Sequence, residues 1–298
     1  MSGTQELAER FEEHRARLTS VAYRMLGSTA EAEDAVQEAW LRLGRTGTAE
    51  IGNLGGWLTT VTGRICLDML RARTARREQP MDEMFVPDPV IRPLDHTDPE
   101  QQAVHTDSVG VALLVVLETL APDERLAFVL HDMFAVPFDD IAPVVERTPA
   151  ATRQLASRAR RRVKEAAPST VPDPGRQRQA LEAFMAAARG GDFEALVSVL
   201  HPDVVLRADA GPLVRGVGAS KRLQGAKPVA GSALMFARYT AAATMAWVND
   251  SLGLVSLVDG RLNSVMYVTV DDDGRITGMY VLADPERLAR LDVSGLRG

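Results

Sequence analysis

The chain has one cysteine, Cys66, among 298 residues, so no intramolecular disulfide framework can hold it together. A lone thiol fits a reducing, cytoplasmic setting. Its five histidines, His14, His96, His105, His131 and His201, show no metal-ligand spacing, and no metal or other cofactor is expected. Neither a phosphate-binding loop pattern nor a dinucleotide glycine pattern occurs. No apolar run approaches the length of a membrane span, and Met1 to Arg10 is polar and acidic, unlike an apolar leader. No internal repeat stands out. Aromatic residues make up only 5% and lysine is nearly missing, with three Lys against 31 Arg. What is present, 46% hydrophobic and 25% charged residues, is the composition of a soluble globular chain, long enough for two or three domains.

The net charge of −6 speaks against a nucleic-acid partner only until it is mapped. Residues 79–107 hold one basic and seven acidic residues, and every other segment balances. That stretch also carries Pro80, Pro87, Pro89, Pro93 and Pro99, so it reads as an extended acidic linker. Two basic stripes flank it. Arg64 to Arg77 holds five arginines against Asp68 alone, and Arg153 to Lys164 holds six basic residues and no acid. Phosphates are attracted to stripes of this kind. A second break, residues 166–175, contains Pro168, Pro172, Pro174 and Gly175. The expected domains are 1–78, 108–165 and 177–298, with 79–107 as linker.

The first piece reads as all-α. Leu18, Val21, Ala22, Met25 and Leu26 recur at helical spacing, and Gly27 ends that helix. Ser28 with Glu31 makes a capping box for the next. Ala32, Ala35, Val36, Ala39, Trp40 and Leu43 form its buried stripe. Glu33, Asp34, Gln37, Glu38 and Leu41 lie off that stripe on a largely acidic face. A glycine-rich loop containing Asn53 follows, and Trp57 opens a third helix with Leu58, Val61, Ile65 and Met69 inward. On the residues alone, Trp57 is a core anchor or a stacking platform, and the acidic face is a solvated surface or a docking site.

The second piece starts with an apolar helix, Val109 to Leu120, followed by one opened by Pro122, Asp123 and Glu124 that runs to Phe134. Phe138 to Val145 reads as a short helix. Thr148 then caps another, with Pro149 at its first position. Ala151, Leu155, Ala159 and Val163 face inward, and Arg153, Ser157, Arg160, Arg161 and Lys164 outward. A short helix, a tight turn and a second helix with one Arg-rich face is the helix-turn-helix layout. Arginine pairs with guanine edges and neutralises phosphates, yet the same face could simply be solvated.

The third piece predicts helices over Leu181 to Ala188 and Phe193 to Leu200. Strands follow at Val204 to Ala208, Met235 to Val248, Leu252 to Val258, Leu262 to Val270 and Ile276 to Leu282. Asp259-Gly260 and Asp271 to Gly274 are hairpin signals. This is an α+β cone with a cavity, for which His201 and Asp209 are the candidate pocket residues.

These residues resemble a family. FEEHRARLTSVAYRMLGSTAEAEDAVQEAWLR (Phe11 to Arg42) is similar to region 2 of the extracytoplasmic-function sigma factors of RNA polymerase, and GGWLTTVTGRICLDMLRARTARRE (Gly55 to Glu78) to its promoter-melting helix. Ala121 to Val163 resembles region 4. The third piece, with LHPDVVL (Leu200 to Leu206), resembles the SnoaL-like extension that sigma factors of the mycobacterial sigma factor J type carry. The resemblance implies a multidomain fold: a region 2 helical bundle, a region 4 helix-turn-helix and a C-terminal SnoaL-like α+β domain. It implies no enzymatic activity and no cofactor.

Its implied partners are core RNA polymerase, through the β′ clamp helices and the β flap, and promoter DNA, with no membrane contact. Asp34, Gln37, Glu38 and Leu41 would dock on the clamp helices. Asn53 would capture a base flipped from the −10 element, with Trp57, Thr60, Arg64 and Arg71 along the single strand. Flipping costs a few kcal/mol, which a pocket and stacking recover. Thr152, Arg153, Gln154, Ser157 and Arg158 would read the −35 element, while Arg160 and Arg161 suit phosphates. The linker's 29 residues reach at most roughly 95 Å, enough for two DNA turns of about 70 Å. The extension is expected to regulate the factor in cis by contact with the sigma pieces.

The chain departs from the family's pattern in places. Glu146 stands where the helix-turn-helix usually has glycine, and Glu suits a positive φ poorly. Pro143 falls in the preceding helix and Pro137 at its N-cap. The usual W-L-P-E-P run of the linker is Phe85, Val86, Pro87, Asp88, Pro89 here, and the usual Asp followed by glycines is Asp209, Ala210, Gly211, Pro212.

Overall fold

The computed structural model describes residues 3–46, 51–75, 85–94, 111–166, 173–237, 243–249, 251–293 and 295–296. It divides into two units, residues 1–78 with 114–167 and residues 79–113 with 168–298. Among the described residues no helix is long and apolar enough to cross a membrane.

The described residues of the first unit form helices and the turns between them. Its helices are α1 (Gly3–Leu26), α2 (Thr29–Thr46), α3 (Leu54–Ala75), α4 (Val111–Glu118), α5 (Pro122–Phe128), α6 (Phe138–Ile141) and α7 (Pro149–Ala166). Gly27 ends α1 at φ 68°, a conformation that costs glycine nothing. Ala32, Ala35, Val36, Ala39 and Leu43 bury the predicted face of α2. The third helix starts earlier than Trp57: Leu54 begins it, and Asn53 Oδ1 accepts the Gly56 N–H at 3.0 Å as its cap. Its buried face also differs from the expected one. Leu58, Thr62, Ile65, Cys66 and Leu70 are buried, whereas Val61 and Met69 are only half-buried.

The two α pieces read separately from the sequence pack as one unit. Arg125 is buried; it pairs with Glu118 at 2.7 Å and donates to the Met25 carbonyl at 2.8 Å. Arg17 donates to the Phe134 carbonyl at 2.8 Å. A side chain at Gly63 would stand 3.0 Å from Leu130 Cδ1, so α3 comes close only because that residue has none. After Phe128 the helix widens into a π turn over Val129–Met133. The expected helix 138–145 stops at Ile141, since Pro143 has no N–H to continue the ladder.

The second unit carries a seven-stranded sheet in the order β1-β4-β5-β6-β7-β2-β3. The strands are β1 (Ile91–Arg92), β2 (Leu200–Asp209), β3 (Lys221–Gln224), β4 (Ala243–Val248), β5 (Ser251–Val258), β6 (Arg261–Val270) and β7 (Ile276–Leu282). All pairs are antiparallel except β2 with β7. Helix α8 (Pro174–Gly190) crosses β5 and β6, and α10 (Ala226–Met235) crosses β2 and β3; α9 (Phe193–Val199) joins them, and α11 (Pro285–Leu288) follows the sheet. Asp173, Asp192 and Asp284 cap α8, α9 and α11 through their carboxylates. The core lies between helices and sheet, built on Leu181, Phe184, Leu196, Val204, Leu254 and Ile276. The strand expected from Met235 begins only at Ala243; Met235 closes α10, and residues 238–242 lie outside the described set. β1 and β3 are too short to show an alternating pattern in sequence.

Candidate functional site

The outer face of α2 is as polar as its spacing suggests. Asp34 and Gln37 are exposed, and Glu38 is half-buried and pairs with Arg42 at 3.0 Å. Leu41 is 46% exposed among them, a large apolar side chain on a charged face.

On α3 the candidates divide by what holds them. Asn53 is exposed, but its side-chain oxygen serves as cap. Trp57 is half-buried, and Thr60 donates to the Gly56 and Trp57 carbonyls. Arg64 faces Glu146 at 3.7 Å, and Arg71 pairs with Asp123 at 2.9 Å. Both partners belong to the helix-turn-helix piece. Arg73 pairs with Glu31 at the start of α2.

Helix α7 keeps one buried and one basic face. Leu155, Ala156 and Ala159 are buried; Arg153, Gln154, Ser157 and Arg161 are exposed. Thr148 caps the helix, its hydroxyl accepting the Ala151 N–H at 3.2 Å. Arg153 lies over the Phe138 ring at 5.3 Å. Arg158 and Arg162 both bind Glu124 at 2.9 Å, and Arg160 binds Asp132 at 2.6 Å. Thr152 corrects the sequence reading. It is fully buried, its hydroxyl donating to the Thr148 carbonyl at 3.0 Å, so it stands away from the exposed face. Glu146 occupies the tight turn at φ 57°, the left-handed conformation that the glycine of the family pattern would take without strain.

The segment read as an acidic linker has structure of its own over residues 85–94. Val86 and Asp88 are buried, and Ile91–Arg92 pairs with Val248 and Trp247 of β4. Arg287, just after the sheet, gathers the segment. Its Nε donates to Asp88 Oδ1 at 2.6 Å, Nη1 to Asp209 Oδ2 at 2.7 Å and Nη2 to the Val86 carbonyl at 2.6 Å, while its guanidinium covers the Phe85 ring at 4.6 Å. Asp209 also accepts the Val86 and Gly211 N–H groups. Gly211 has φ 74°, and a Cβ there would stand 2.5 Å from Asp284 Oδ2. Asn249 accepts the Val90 N–H at 2.7 Å and donates its own N–H to the Val90 carbonyl at 2.7 Å.

The pocket assignment is therefore corrected. Asp209 serves the docked segment, and His201 accepts the Asp203 N–H at 3.1 Å through Nδ1. Neither is among the residues lining a cavity that lies between α8, α10 and the sheet. Arg287 had no visible role in the sequence, because its hydrogen-bond partners lie 78 to 201 positions away.

Comparison with known proteins gives two family matches. The sigma-70 region 2 family matches residues 10–76, and the sigma-70 region 4 family matches residues 110–163. The chain is 40% identical over 291 residues to the ECF RNA polymerase sigma factor SigJ of Mycobacterium tuberculosis, covering 93% of this chain and 91% of that one. The chain belongs to the ECF RNA polymerase sigma factors. It is also 35% identical to the probable ECF sigma factor SigI of M. tuberculosis, over 92% of each chain. The crystal structure of M. tuberculosis SigJ superposes with a TM-score of 0.71 and 36% identity, over 96% of this chain and 99% of that one. Like its family, this ECF sigma factor serves promoter recognition and transcription initiation, working with core RNA polymerase and promoter DNA. Its C-terminal unit is the SnoaL-like α+β domain expected from the sequence.

Proposed function

We propose that α2 docks on the β′ clamp helices of core polymerase through Asp34, Gln37, Glu38 and Leu41, with a further contact to the β flap. Helix α3 and its cap hold and stack the opened −10 strand through Asn53, Trp57, Thr60, Arg64 and Arg71. The exposed face of α7 reads the −35 element through Arg153, Gln154 and Ser157, with Arg158, Arg160 and Arg161 on phosphates. The factor works in the cytoplasm, where polymerase is, and performs no chemistry of its own. The supporting observation is that α2 and α7 keep exposed faces of opposite character, acids around a leucine on one and arginines on the other.

Arg64 and Arg71 are engaged by Glu146 and Asp123. The Arg64–Glu146 pair is largely exposed and contributes at most about 1 kcal/mol; the Arg71–Asp123 pair is part-buried, and promoter phosphates displace both. Engaging two separated promoter elements then requires the two α pieces to part. The C-terminal domain regulates that step in cis, and the segment clamped by Arg287 is the link through which it does so. Pull-down of core polymerase tests the docking face. Asp34→Arg should abolish capture while leaving the circular dichroism spectrum unchanged; undiminished capture would remove α2 as the docking element.

A further inference from the structure

The cavity of the C-terminal unit belongs to none of the faces above. Its volume is about 290 Å³, at the lower bound of small-molecule sites, roughly 300 Å³. Strand register explains its lining. Leu254, Met266, Val281, Ala208 and Lys221 stand in one row across β5, β6, β7, β2 and β3. Residues two apart on a strand share a face, so Ser256 and Ser264 oppose each other in the next row. On the other side of the row, Leu206 and Met279 lead into the core.

The lining is mixed. Phe184, Val229, Leu254 and Met279 are apolar and at most 3% exposed. Ser232, Ser256, Asn263 and Ser264 add neutral polar groups. Lys221 is the one charged side chain among the described lining residues, and no carboxylate or imidazole accompanies it there. Its Nζ lies 4.5 Å from the centre of the Phe236 ring, a contact that holds the ammonium beside the cavity. Partial burial withdraws some of its water, and its pKa is accordingly lowered.

A single cation over an apolar, otherwise neutral cavity selects its occupant. A cationic ligand is repelled, and a neutral one leaves the ammonium uncompensated. A ligand with several negative charges would bury charge with no partner. We propose that this cavity binds an apolar monocarboxylic acid. The carboxylate accepts from Lys221 Nζ, and the hydrocarbon body lies along Leu206, Leu254 and Met279. No bond is made or broken.

Titration of the full-length protein with octanoate, octan-1-ol and octylamine, followed by calorimetry, tests this without any variant. Octanoate should bind about tenfold tighter than octan-1-ol, the value of one charge-assisted hydrogen bond, and octylamine more weakly than either. Lys221→Met should remove the preference for octanoate and leave octan-1-ol unchanged, while Lys221→Arg should keep the preference. Circular dichroism establishes that each variant is folded. Equal affinity for octanoate and octan-1-ol, a preference that survives Lys221→Met, or no saturable binding of octanoate would each overturn the proposal.

Discussion

One of the chain's departures from the pattern of its family can be weighed at a single backbone angle. Glu146 sits at φ 57° in the turn between α6 and α7. For a non-glycine residue that conformation costs roughly 1–2 kcal/mol. The ion pair with Arg64, at 3.7 Å and mostly exposed, offsets little of that. Glu146→Gly should therefore raise stability by about 1 kcal/mol, less whatever the glycine's own chain entropy takes back. Chemical denaturation of the full chain measures this, and a lower midpoint in the variant would contradict it. Asn53 poses the opposite problem, since one side chain is offered both a structural and a recognition role. Its cap on α3 is worth about 1 kcal/mol. Asn53→Ala should lose that amount, whereas Asn53→Ser should retain the cap and still lose promoter opening. Permanganate footprinting of the −10 strand separates the two roles; full opening with Asn53→Ser would leave Asn53 a cap and nothing more.

Helices were more readable than short strands, for physical reasons. α2 showed itself because five small or branched residues recur on one face with acids opposite. α7 announced its start through Thr148 and Pro149. The long strands β5, β6 and β7 were found within a residue or two, since each carries enough apolar residues to register a pattern. The two-residue β1 and four-residue β3 carry none. Thr152 was misplaced for a related reason: a small polar residue one step from the basic face reads as part of it, until its hydroxyl is seen bonded to Thr148. The Arg287 clamp is invisible to any local pattern, because it joins residues from both ends of the unit. Arg287→Ala would take the guanidinium away from the nearly buried Asp209 carboxylate and remove one of the partners of Asp88. Losing one partner of a buried pair costs about 3–5 kcal/mol. Thermal unfolding should show that loss in the C-terminal unit, and a transition within error of the parent would show that the clamp holds nothing.

At the scale of the molecule, charge tells the story better than composition. The excess negative charge is confined to one segment, and the described part of that segment is held by the C-terminal unit rather than lying open. The helical unit meanwhile keeps an acidic face on α2 and an arginine face on α7. On the proposed reading these two faces join a polymerase and a promoter, while the C-terminal unit holds part of the chain between the two helical pieces. Run-off transcription with purified core polymerase, comparing the full chain with one cut at residue 170, measures this directly. The account predicts discrete start sites with the full chain, loss of those products with Asp34→Arg, and an altered yield on truncation. No specific product from either form would contradict the account.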